Sequence, residues 1–122
     1  MSAPRDLAGF PSASLVRIYL GEDDRVDGVP AYEAVVRAAR DAGLAGATVL
    51  RGALGYGANT VVHRPSLWHL SRDLPLVIEI VDEASRVEPF LSKLEDVLHG
   101  GGLITVEPVR VVRYGASRGE RS

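Results

Sequence analysis

ATVLRGALGYGANTVVHRPSLWHLSRDLPLVIEIVD, residues 47–82, decides how this chain folds. Residues 47–54 read as one strand and residues 76–82 as another, because both runs are apolar and rich in β-branched side chains. The connection between them, residues 55–75, is far longer than the roughly 2–6 residues that usually join strands in a compact domain. A connection of that length is uncommon unless it has a job. Its root holds Gly55 and Gly57, and its body offers His63, Arg64, Trp68, His69 and Arg72. These residue types predict a loop that docks a partner.

Outward from this stretch the chain alternates strands and helices. Leu15 to Leu20 is a β-branched and aromatic strand, stopped by GEDDRVDG at 21–28. Pro30 suits the first turn of a helix, where its missing N–H does no harm. Tyr32, Val35, Val36 and Ala39 then recur at helical spacing, and Gly43 supplies the stop. A second helix carries Val87, Phe90, Leu91, Leu94, Val97 and Leu98. Its start has two registers, a Ser85–Glu88 capping box or Pro89 at the first helical position. Gly100, Gly101 and Gly102 follow His99, then LITVEP at 103–108 makes a fourth strand, and the extended tail VRVVRY at 109–114 is expected to add an edge strand.

The order is βαββαβ, an α+β ferredoxin-like sandwich with two helices on one face of a four-stranded antiparallel sheet. The expected domain is residues 14–114, between loosely ordered tails at 1–13 and 115–122. On the first and third strands large apolar residues alternate onto both faces, Leu15 and Tyr19 against Val16, Ile18 and Leu20. A face left to water reads mainly polar, so self-association is the economical cover.

Composition narrows the function. The chain has 122 residues, 46% hydrophobic and 25% charged, with a formal net charge of −2. Nucleic-acid binding through a general basic surface is not expected. RNA recognition on the sheet needs exposed aromatics on the central strands, and only Tyr19 is available. With no cysteine, disulfides, a thiolate nucleophile and a cysteine zinc site are excluded. No apolar run is long enough for a signal peptide or a membrane span, and the expectation is a cytoplasmic protein.

AGLAGATVLRGALGYG, SRDLPLVIEIVD and GGGLITVEPVRVVRY together resemble the PII signalling proteins, and more closely the PII-like group called domain of unknown function 190. The likeness covers residues 14–114. It implies a homotrimer that binds a small anionic metabolite between subunits and reports on it through a mobile loop. The regulated target would be a membrane transporter or an enzyme. Gly55, Tyr56 and Gly57 would then shape the loop root, Glu79 would orient the cleft, Gly100 to Gly102 would offer N–H donors, and Arg113 would supply positive charge. Two departures bear on the ligand. Leu103 stands where PII proteins place a phosphate-gripping lysine, and Ala58-Asn59 where they place Arg-Gln. Two missing charge-assisted hydrogen bonds weaken a triphosphate by roughly 3–6 kcal/mol, so AMP or ADP fits the remaining residues better.

The competing readings are structural. Arg17 and Glu79 would share one sheet face, where an ion pair competes with Glu79 as a ligand contact. His63 and His69 lack helical metal-site spacing, and Ser66 and Ser71 near them form no organised nucleophile and base, so neither a metal, a cofactor nor an enzyme is expected. His99 suits a helix C-terminus, and Trp68 would pack on its own chain or insert into a partner. The second functional reading is a ligand-free ferredoxin-like oligomer that docks partners through the 55–75 loop.

Overall fold

Alternation along the first strand sets the architecture. In a computed structural model that describes residues 12–56 and 74–115, β1 runs from Ala13 to Gly21 and turns Val16, Ile18 and Leu20 to one side. Its partner β5, Pro75–Glu83, turns Leu76, Ile78, Ile80 and Asp82 to the same side. The two pair antiparallel with Val16 opposite Ile80 and Ile18 opposite Ile78. α1, Ala31–Asp41, and α2, Ala84–Leu98, close this side with Val35, Ala38 and Ala39 from one and Val87, Phe90, Leu94 and Leu98 from the other. Full burial of each large side chain here contributes about 1.5–3 kcal/mol.

β4, Thr48–Arg51, flanks β5, and β6, Leu103–Val109, flanks β1, which gives the sheet order β4-β5-β1-β6. All three pairings are antiparallel. This is the ferredoxin-like α+β sandwich that the element order predicts, and the long connection does lie between β4 and β5. Most of it, with Gly57, His63, Arg64, Trp68, His69 and Arg72, lies outside the described residues. So do residues 1–11 and 116–122, the greater part of both predicted tails.

Several expectations are corrected. Ala13, assigned to the N-terminal tail, is the buried first residue of β1. GEDDRVDG does more than stop a strand: Arg25–Val26 (β2) and Val29–Pro30 (β3) form a small hairpin. Asp27 and Gly28 turn it with φ of 50° and 83°, the paired positive values of a tight two-residue turn. Pro30 precedes α1 as its N-cap rather than opening its first turn. The strand expected over 47–54 pairs only from Thr48 to Arg51, because the chain then bends where Gly52 meets Pro75.

Neither predicted register opens α2. The helix starts at Ala84, one residue past β5, and Pro89 lies inside it. A buried carboxylate makes so abrupt a change of direction possible. Asp82 accepts hydrogen bonds from the N–H of its neighbour Glu83 (2.7 Å) and from the Ala45 N–H (2.9 Å). Arg86, one turn into the helix, lies 3.9 Å from it and also donates to the Gly43 carbonyl. Strand end, helix start and the turn after α1 are thus fastened at one point. That turn is the predicted glycine stop: Gly43 takes φ of 75°, with Leu44 N–H bonded to Ala39 and Gly43 N–H to Arg40.

Candidate functional site

The face of the sheet away from the helices is lined by the other half of each strand. Leu15, Arg17 and Tyr19 of β1 stand between Val77, Glu79 and Val81 of β5 and Leu103, Thr105 and Glu107 of β6. At its centre the Arg17 Nε donates to Glu79 (3.1 Å), and the Arg17 Nη1 lies 3.6 Å from Glu107. The hydrogen bond to Glu79 holds the guanidinium above its ordinary value; desolvation opposes this, and attraction to Glu107 and Glu79 adds to it. A raised value favours the charged form, so this contribution is constant through the physiological range and is lost only in strong alkali. The cross-strand ion pair predicted for Arg17 and Glu79 therefore forms. One Glu79 oxygen is committed to it.

Beside Glu79 the sheet borders a groove of about 750 Å³. One wall is Ala45 to Thr48, leading into β4; Glu79 and Val81 contribute from β5. The other wall is the segment 109–114, which was expected to extend the sheet as an edge strand. Beyond Val109 it forms no strand. It crosses from β6 towards the opposite edge, where the Tyr114 hydroxyl donates to the Ala45 carbonyl (3.2 Å). This crossing brings Arg113 into the same groove as Glu79, two predicted site residues that lie far apart in sequence. Arg110 joins them there, a cation that sequence reasoning did not single out although it sits in the same basic tail.

The predicted glycine donors lie elsewhere. α2 ends with His99 itself in the left-handed region at φ 50°, followed by Gly100 at 84° and Gly102 at 80°. His99 sits 3.7 Å from Asp27 of the hairpin turn. The Gly101 N–H is already bonded to Leu98 (2.9 Å) and is not available to a ligand. No acceptor among the described residues takes the N–H of Gly100 or Gly102. At Gly102 a Cβ would come within 2.8 Å of Leu20 and 3.1 Å of the Tyr19 carbonyl, so this position needs glycine for space as well as for φ. The turn borders a separate cavity of about 260 Å³ with Asp24, Arg25 and His99.

Strand register shows how far apart the two sets are. Leu103 pairs with Tyr19 and Val109 with Ala13, so the glycine turn and the start of the crossing segment sit about 20 Å apart along β1. Gly55 packs against Pro75, which pairs with Gly21, and this puts the loop root at the glycine-turn end but on the other edge of the sheet. Gly52, which the sequence reading passed over, holds that root closed by donating to the Pro75 carbonyl (2.7 Å). Tyr56 is 79% exposed. A single chain therefore brings Glu79 and Arg113 together but not the glycines with them. Among the described residues no cluster of three His, Asp or Glu side chains could hold a metal ion, and no helix is long and apolar enough to cross a membrane.

Residues 13–111 match the sequence profile of the DUF190 family, described as an uncharacterized ACR. The chain belongs to this family. A UPF0166 protein of Aquifex aeolicus is 38% identical over 98 residues, covering 80% of this chain and 91% of that relative. One from Methanocaldococcus jannaschii is 34% identical over 101 residues, with 83% and 93% covered. Among solved structures, CPII from Thiomonas intermedia K12, bound to ADP, AMP and acetate, aligns with a TM-score of 0.60 at 17% identity, covering 84% of this chain and 90% of that one. A candidate PII-like signaling protein from Thermus thermophilus aligns at 0.56, also at 17% identity, covering 83% and 90%. The DUF190 chain thus shares its fold with these PII-like proteins.

Proposed function

We propose that this DUF190 protein is a PII-like regulator that binds an adenine mono- or diphosphate between the subunits of a homotrimer. It then signals through the 55–75 loop to a transporter or an enzyme. The observation that carries this reading is the separation of the site residues. Arg113 and Glu79 share a groove at one end of the sheet, whereas the N–H groups of Gly100 and Gly102, which have no acceptor among the described residues, lie at the other end. One chain cannot apply both to the same ligand; two chains meeting edge to edge can. The ADP and AMP held by CPII support the ligand class. The half-exposed apolar residues around Arg17 support the assembly, since such a face is stabilised by a second copy.

Arg113 supplies charge for one or two phosphates, and Leu103, at 57% exposure, offers none where a triphosphate would want a cation. Titration calorimetry with AMP, ADP and ATP tests the reading. ADP or AMP is expected to bind more tightly than ATP, and Arg113→Ala to weaken that binding by about 1.5–3 kcal/mol. Tightest binding of ATP, or no heat from any of the three, rejects it. In the second case the ligand-free oligomer that docks partners is the better account.

A further inference from the structure

We infer that residues 110–115 form a strap latched across the groove by the Tyr114 hydroxyl, and that Tyr114 thereby positions Arg113 for an anionic ligand; the second half of this inference rests on the nucleotide reading above. The strap is loosely attached everywhere else. Past Val109 it has no backbone pairing, and among the described residues no hydrogen bond or ion pair joins residues 110–113 or 115 to the rest of the chain. Val112 is 75% exposed, so burial does little to hold it. The bond from the Tyr114 hydroxyl to the Ala45 carbonyl is its one polar tie among the described residues.

The other end of that tie is firm. Ala45 donates its N–H to Asp82, which is fully buried and also fastens the start of α2 through Glu83 and Arg86. The carbonyl that receives Tyr114 therefore belongs to a residue whose own N–H is fixed to the core. A loose strap with a fixed keeper is a latch. Arg113 precedes Tyr114 by one residue and has no partner of its own among the described residues, so the latch sets where its guanidinium stands relative to the groove. Ordering a free arginine on binding costs affinity, and a strap already held in place removes part of that cost.

Nitrogen-15 relaxation and calorimetry on the full chain test this. In the free wild-type protein the backbone order parameters of 110–115 are expected at about 0.8, falling below about 0.6 in Tyr114→Phe, which keeps the ring and removes the donor. Tyr114→Ala should match Tyr114→Phe. Order parameters that stay unchanged in Tyr114→Phe, or that fall only in Tyr114→Ala, overturn the latch, because the ring and not the hydroxyl would then hold the strap. For the positioning role, Tyr114→Phe should weaken ADP binding on the order of two- to ten-fold. That loss should vanish in an Arg113→Ala background, since the two residues act through one contact. An equal loss in both backgrounds, or none in either, overturns the positioning role. Absence of binding of AMP, ADP and ATP by the wild type rejects the nucleotide reading and the positioning role together, while the relaxation data still decide the latch.

Discussion

The two faces of this sheet are made from the same strands and have opposite characters. On the helix side Val16, Ile18, Ile78 and Ile80 are essentially fully buried, and the one polar group among them, Asp82, has its partners close at hand. On the other side Leu15, Val77 and Val81 are only half-buried, and a charged row from Glu79 through Arg17 to Glu107 runs through their middle. The first face is finished within one chain. The second keeps apolar surface that no helix among the described residues covers, beside charges that tolerate water. A strand with large residues on both sides therefore carries two partly apolar faces, and the two helices cover one of them.

Substitutions can break or sharpen that contrast. Ile18→Ala on the covered face should cost about 2–5 kcal/mol in chemical denaturation, because it leaves a void between β1, β5 and both helices. Asp82→Ala should come next, about 1–3 kcal/mol, since it removes the acceptor of the Ala45 and Glu83 N–H groups and the carboxylate that faces Arg86 near the start of α2. Arg17→Met on the open face should barely move the unfolding midpoint of a dissociated chain, and the small shift should disappear in high salt, because its ion pairs stand partly in water. If Arg17→Met proves as damaging as Ile18→Ala, the open face is covered in solution. Light scattering should then give about three chain masses for the wild type. A monomer at micromolar concentration with a silent Arg17→Met would leave the face open and remove the intersubunit site.

Local pattern reached a long way into the fold. The alternation of β1 and β5, the helical stripe from Val87 to Leu98 and the glycine stop at Gly43 were all legible, since each is a preference of a short segment for one backbone shape. One legible signal was passed over: Val26-Asp27-Gly28-Val29 is a hairpin written in turn chemistry, and the hairpin is there. The start of α2 was not legible. It depends on Asp82 reaching the Ala45 peptide thirty-seven residues away, and no local rule chooses Ala84 over Ser85 or Pro89.

The candidate site divides the same way. Residue type alone offered the glycine turn as a set of N–H donors, whereas Glu79 and Arg113 entered as ligand contacts only through the resemblance. Which of them stand together was decided by tertiary structure. Strand register separates the glycine turn from Arg113 by the length of β1, and a strap that reads as a strand leaves the sheet instead and carries Arg113 to Glu79. The Gly101 N–H, a donor by residue type, is consumed by the end of its own helix. Sequence by itself determines what each segment prefers and what each side chain can offer, because those are properties of a residue and its near neighbours. Long-range pairing determines which offers meet, because only the packed sheet sets the distance between residues that the chain keeps apart.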